Sequence, residues 1–182
     1  MFCNDSYKGE EQLVSFNENT LEQILIEELQ ELGYDYLYGP DMERDYHEVL
    51  LKDYFMDAMF LINPGITLEI VEEAFHVIQN LGFVKLEEQN AAFHKYLVEG
   101  VPIPYRKNDE NKTFQVKLID FEHPKKNDFK VINQYTVIER KNKRPDLLIF
   151  INGIPVVLFE LKNMVNEDTT IENAYKQIRN YQ

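Results

Sequence analysis

The chain has 182 residues, a net charge of −13 and one cysteine, Cys3. That length suffices for one domain with a real core. It carries no apolar run long enough for a membrane span and no signal-peptide core near its start, and a lone cysteine excludes an internal disulfide. The negative charge argues against a free-standing nucleic-acid binder, because phosphate attraction dominates such affinity. The charge is uneven: residues 125–182 hold ten Lys/Arg against seven Asp/Glu, whereas residues 1–124 hold nine against twenty-five. The reducing cytoplasm is the expected compartment.

Residues 1–18 read as a tail. Asn19-Thr20 then cap LEQILIEELQEL, which Gly33 stops. Leu21, Leu25, Leu29 and Leu32 are the expected core stripe, with Glu22 and Glu28 each about 60° from its centre. Either acid can reach a buried site from there, and either can be a surface acid. Tyr34 to Pro40 reads as an aromatic loop. A second helix is expected from about Asp45 to Leu61, ended by Asn63-Pro64-Gly65. A third runs from Ile66 to Leu81 and a fourth from Asn90 to Val98. His47, His76, His94 and His123 have no partner at metal-ligand spacing and read as structural.

After Gly100 the period changes. Phe114–Phe121 and Phe129–Glu139 read as strands, divided by the turn-like EHPKKND. The stretch 144–163, RPDLLIFINGIPVVLFELKN, then holds two apolar runs joined through Asn152-Gly153, an antiparallel hairpin signal. Both runs are apolar on both faces, so they belong inside a covered sheet. Asp146 opens the first run, and Glu160 and Lys162 close the second. Residues two apart in a strand share a face, and a hairpin brings its outer ends together. Two carboxylates and a lysine at such a rim make a divalent-metal site with a cation beside it, and oxygen ligands suit Mg²⁺ or Mn²⁺. An acid-x-Lys triplet alone is a weak signal, since Glu110-x-Lys112, Asp128-x-Lys130 and Glu139-x-Lys141 also occur. Only Glu160-x-Lys162 closes an apolar strand that follows an acid-bearing one. The alternative is a pair of solvated strand-end charges. Arg140, Lys141, Lys143 and Arg144 add a basic cluster just before Asp146, suited to a phosphodiester or simply to a solvated loop.

Parity constrains the hairpin. A strict two-residue turn with unbroken ladders sets Asp146 opposite Phe159 and turns Glu160 to the other face. A shared site therefore needs one extra residue. A three-residue loop, Ile151-Asn152-Gly153, is expected; a bulge inside either strand corrects the parity equally well. Beyond the hairpin, Thr169-x-x-Glu172 is a capping-box pattern opening a last helix, with Gln177 and Tyr181 four apart on one face.

Pro145-Asp146, thirteen residues, then Glu160-Leu161-Lys162 is the PD-(D/E)xK nuclease signature. The phrase closely resembles the N-terminal nuclease domain of the type I restriction enzyme R subunit. LEQILIEELQELGYDY resembles that family's opening helix, LKDYFMDAMFLINPGITLEIVEEAF its helical insert, LIDFEHPKKNDFKVINQYTV the strand pair before the hairpin, and QIRNY its QxxxY element. The resemblance implies an α/β fold: a PD-(D/E)xK restriction-endonuclease-like core, with a mixed sheet flanked by helices and an N-terminal helical insert. It implies Asp146 and Glu160 as Mg²⁺ ligands with the Leu161 carbonyl, and Lys162 as the residue orienting the attacking water. Glu22 is the implied outer carboxylate, and Gln177 and Tyr181 assist. The implied reaction is hydrolysis of phosphodiester bonds in double-stranded DNA, with methyltransferase and specificity subunits as partners and no membrane role. ATP enters only through motor domains, which are expected to lie outside 19–182, so these residues read as a nuclease domain truncated at its C-terminal end. A repair or recombination nuclease of the same fold, or a non-catalytic docking domain, is the competing reading.

Overall fold

A computed structural model describes residues 18–82, 85–138, 142–162, 175–176 and 178–179. The N-terminal tail lies almost wholly outside them, as do Arg140, Lys141, Gln177, Tyr181 and the 169–172 capping pattern. Tyr175, Lys176, Ile178 and Arg179 are helical. No described helix is long and apolar enough to cross a membrane.

The protein is α/β. Four helices are described: α1 (Glu18–Glu31), α2 (Lys52–Ile62), α3 (Leu68–Gln79) and α4 (Leu86–Glu99). The strands of the main sheet are β1 (Asp35–Tyr38), β4 (Phe129–Asn133), β7 (Leu147–Ile151) and β8 (Ile154–Phe159), in the order β1-β4-β7-β8. β1 runs parallel to β4, and the other pairs are antiparallel, so the sheet is mixed. β2 (Val101–Lys107) and β3 (Glu110–Val116) form a separate hairpin, and β5 (Val137–Ile138) pairs with β6 (Asn142–Lys143).

Both faces of the main sheet are covered, as its doubly apolar strands require. On one face, Val131, Leu147 and Ile149 pack against Ile26 and Leu29 of α1. On the other, Ile132, Leu148 and Phe150 pack against Leu51 and Tyr135. Val131, Ile132, Leu147 and Phe150 are essentially inaccessible; burial of each contributes about 1.5–3 kcal/mol. A further core joins α2 and α3 to β2, β3 and Ile154.

Several elements differ from expectation. The aromatic segment after Gly33 is a strand, not a loop. Its alternating tyrosines suit a half-exposed edge, and β4 supplies its parallel partner. The second helix begins at Lys52 rather than near Asp45. The Asp45 carboxylate accepts the His47 amide at 2.9 Å, and the Asp45 carbonyl accepts the Glu48 amide. Those local bonds compete with helix. The third helix is shorter than expected and the fourth starts earlier. β3 ends at Val116, so residues 117–121 are not strand, while 101–107 are. The long strand expected over 129–139 breaks at Gln134, whose φ is 53°. In α1 the buried face is centred on Ile26 and Leu29, and Leu32 is 75 % exposed. Glu22 lies on that buried face, at helical spacing from both, whereas Glu28 is exposed.

Candidate active site

Asn152 and Gly153 form the hairpin turn, with Ile151 opposite Ile154. Their φ values, 53° and 75°, are those of a two-residue turn with both residues left-handed. The expected three-residue loop does not form. Asn152 is held in the turn by bonds made in full burial. Its Oδ1 accepts the Asp128 amide (2.8 Å), and its Nδ2 donates to Leu118 O (2.8 Å) and Asn127 Oδ1 (2.9 Å).

Parity is corrected by the other route, a bulge. Phe150 pairs with Pro155, but Ile149 pairs with Val157, leaving Val156 as the extra residue. Pro155 has no amide hydrogen to give the ladder, and bulges accommodate proline for that reason. Beyond the bulge Leu148 faces Leu158 and Leu147 faces Phe159. One further step along this register sets Asp146 opposite Glu160, on one face of the strand pair.

The side chains bear this out locally. Asp146 Oδ2 accepts the Leu161 amide at 2.6 Å. Lys162 Nζ donates to Glu160 Oε1 at 3.1 Å. The Glu160 side chain is 1 % exposed and that of Lys162 26 %. The ammonium therefore balances a buried carboxylate while keeping a path to solvent. Glu22 comes to the same end of the sheet from α1. Asn133 Nδ2 donates to its Oε1 (2.7 Å) and Gln134 Nε2 to its Oε2 (3.3 Å). Gln134 N–H donates in turn to the Asp146 carbonyl at 3.1 Å. Tyr36 OH donates to Asn133 Oδ1 at 3.1 Å. Burial, and then the negative charge of Glu22, hold the Tyr36 phenol above its ordinary pKa.

Sequence reasoning missed Asn133, Gln134 and Tyr36. The available signal was a pair of adjacent amides, INQY, at the end of an apolar strand. Arg144 is exposed, Lys143 lies in β6, and the rest of the basic cluster falls outside the described residues.

Two other charged groups are distinct from this site. Lys130, buried in β4, lies 2.8 Å from Asp128, 3.4 Å from Asp35 and 4.5 Å from the Tyr54 ring centre. Burial opposes its charge, but the hydrogen bonds and charges of Asp128 and then Asp35 outweigh it and raise the pKa. The ammonium is thus paired within the fold, by two carboxylates. Sequence alone does not show this pairing, because Asp35 meets Lys130 only through the parallel pairing of β1 with β4.

Among the described residues, Asp120, Glu122 and His123 have ligand atoms within 4.8 Å of one another, a grouping that can hold a metal ion. His123 therefore does have acidic partners at metal-ligand distance, contrary to its expected purely structural role. The group also has a local structural role. Asp120 Oδ1 accepts the amides of Glu122 (3.1 Å) and His123 (3.0 Å). The His123 amide chiefly holds the Asp120 carboxyl below its ordinary pKa, against partial desolvation. Asp120 is tied through Asn127 to Asn152, at the turn end of the hairpin. Asp146 stands six residues away along β7, about 20 Å at strand rise.

The profile of the type I restriction enzyme R protein N terminus matches residues 15–182. The chain is 34 % identical over 180 residues to a type I restriction enzyme endonuclease subunit assigned in Methanocaldococcus jannaschii, covering 93 % of this chain. It is 33 % identical over 175 residues to the HindI endonuclease subunit of Haemophilus influenzae, covering 91 %. A Staphylococcus aureus type I endonuclease subunit is 25 % identical over 167 residues. The chain spans about 17 % of the length of the first two relatives. With a mixed sheet that carries an acidic hairpin rim, and a profile match over nearly its whole length, the chain belongs to the family of type I restriction enzyme R protein N-terminal regions.

Proposed function

We propose that this chain is the Mg²⁺-dependent endonuclease part of a type I restriction enzyme, with a PD-(D/E)xK core spanning residues 19–182. It hydrolyses phosphodiester bonds in double-stranded DNA. The observation that supports the reading is the Val156 bulge, which removes the parity conflict between Asp146 and Glu160, with Lys162 Nζ 3.1 Å from Glu160.

The donor chemistry fits the ion. Asp146, Glu160 and the Leu161 carbonyl offer hard oxygen ligands, which Mg²⁺ prefers over nitrogen or sulfur. When bound, Mg²⁺ supplies positive charge to the scissile phosphate and acidifies water. The chain's own residues do the rest. The Leu161 amide fixes the Asp146 carboxylate, so its orientation is set before substrate arrives. Lys162, held by Glu160 yet partly exposed, orients the attacking water and stabilises charge developing on the phosphate. Glu22 stands behind as the outer carboxylate, and Gln177 and Tyr181 assist.

The remaining activities are inferred from the family resemblance. Cleavage takes place in the cytoplasm, within a complex that includes methyltransferase and specificity subunits. ATP is used by motor domains rather than by residues 19–182. The excess acidity of residues 1–124 fits a domain whose DNA is held mainly by other surfaces.

Titration calorimetry of the chain with MgCl₂ tests the site directly. A binding event is expected that is lost in Asp146→Asn and in Glu160→Gln, whatever the Asp120 group contributes. Equal binding by both variants would overturn the assignment.

A further inference from the structure

We propose that Asn133 and Gln134 are positioning residues for this acidic site, acting as a latch between α1 and the strand that bears Asp146. The inference rests on the metal-site reading above.

The latch has two halves. The side-chain amides of Asn133 and Gln134 each donate to a different oxygen of Glu22, at 2.7 and 3.3 Å. Both oxygens are engaged, which fixes the rotation of the carboxylate as well as its position. Hydrogen bonds to a charged group are the stronger kind. The second half is main chain: Gln134 N–H grips the Asp146 carbonyl at 3.1 Å. Gln134 can do both because its left-handed backbone, φ 53°, breaks the strand's alternation. A regular strand residue there would follow the row of Lys130 and Ile132, away from α1. Asn133 keeps its place in β4, facing Leu147, and its own Oδ1 is fixed by the Tyr36 hydroxyl.

Packing protects the bend. A Cβ on Gly39 would lie 2.7 Å from Asn133 O and 2.8 Å from Gln134 O. Backbone from β1's exit therefore presses directly on the two latch residues, and only glycine permits that approach. The result is one continuous path from Glu22 through Gln134 to Asp146. Motion of α1 is thereby transmitted to the metal-site strand. Neither amide needs to touch metal or DNA for this role.

Asn133→Asp tests the contact, because it replaces the donor facing Glu22 with a second carboxylate while keeping the acceptor for Tyr36. Adding Glu22→Gln reverses the hydrogen bond and restores complementarity. Two readouts are needed on the 182-residue chain: melting temperature, and Mg²⁺ affinity by calorimetry. Expected for Asn133→Asp is a lowered melting temperature and at least tenfold weaker Mg²⁺ binding. In the double variant the melting temperature should return to within about 2 °C of wild type, because the swapped hydrogen bond is restored, whatever the lost Glu22 charge does to Mg²⁺ affinity. Gln134→Glu should weaken Mg²⁺ binding in the same direction. Wild-type Mg²⁺ affinity in folded Asn133→Asp, or a double variant melting no higher than the single, would overturn the latch while leaving the metal site standing. Rescue of melting temperature in a chain that binds no Mg²⁺ at all would overturn the positioning role together with the proposed function, and would leave only the contact confirmed.

Discussion

Asp146 and Leu161 are joined across the hairpin by a 2.6 Å hydrogen bond from the Leu161 amide to Asp146 Oδ2. The bond is possible because the Val156 bulge advances β8 by one residue against β7. Without it Asp146 would oppose Phe159, and its carboxylate and that of Glu160 would leave the sheet on opposite faces. The geometry of the proposed site thus depends on a register set some distance from it, by the turn and the bulge together.

The turn should therefore tolerate little. A Cβ on Gly153 would lie 2.5 Å from Leu51 O and 2.7 Å from Phe55 N, both main-chain atoms at the start of α2. Its carbonyl already accepts the Leu51 amide at 2.8 Å, so the turn cannot easily retreat. With φ at 75° the backbone is also unfavourable for alanine. Gly153→Ala should destabilise the chain by about 3 kcal/mol or more, the upper end for single substitutions. Urea unfolding measures it, and a loss below 1 kcal/mol would show that the α2 contact yields.

Lys162 should matter to stability as well as to chemistry. Its ammonium is 3.1 Å from the Glu160 carboxylate, whose side chain is almost wholly buried. Lys162→Met leaves that carboxylate without its neighbouring cation, at a cost of about 1–3 kcal/mol. Added Mg²⁺ should recover part of the loss, since a ligand that binds only the folded state stabilises it. Denaturation with and without MgCl₂ checks both effects; an unchanged midpoint in the variant would contradict the pairing.

The alkaline limb of stability has two named sources. Tyr135 is fully buried, and burial pushes its phenol up to about 12 despite the nearby Arg44 guanidinium. The Lys130 ammonium is also held above its ordinary value. A folded pKa above the unfolded one means that unfolding releases protons. The associated stability is complete below the unfolded pKa, about 10 for either group. It is lost as pH rises through the folded values, and for Tyr135 that window is roughly pH 10 to 12. Tyr135→Phe should flatten this fall while losing the bond to Glu48 O, 3.2 Å, worth about 0.5–1.5 kcal/mol. Melting temperatures followed from pH 8 to 12 measure the slope, and an equally steep fall in Tyr135→Phe would assign it elsewhere.

The hairpin was legible in the sequence because its signals are local. Asn-Gly marks the turn, doubly apolar runs mark the covered strands, and charges at their ends mark the rim. Parity required one extra residue but not its place; Pro155 was the only hint that the strand rather than the turn would hold it. β1 was not legible, since its parallel partner Lys130–Asn133 lies some ninety-five residues on and four residues show little period. The choice between Glu22 and Glu28 was also hidden, because an all-leucine stripe misplaces the buried face that Ile26 helps define. Asn133 and Gln134 carry no motif: their significance comes from a left-handed residue at a strand end, which only backbone geometry reveals.

On the proposed function, Asp146, Glu160 and Lys162 cut DNA. The most direct measurement is cleavage of duplex DNA by the intact restriction complex carrying Asp146→Ala or Lys162→Ala, with ATP hydrolysis followed in parallel. Abolished cutting with ATP hydrolysis spared is the predicted result, because the acidic rim would serve the nuclease step alone. Normal cutting by either variant would contradict the account.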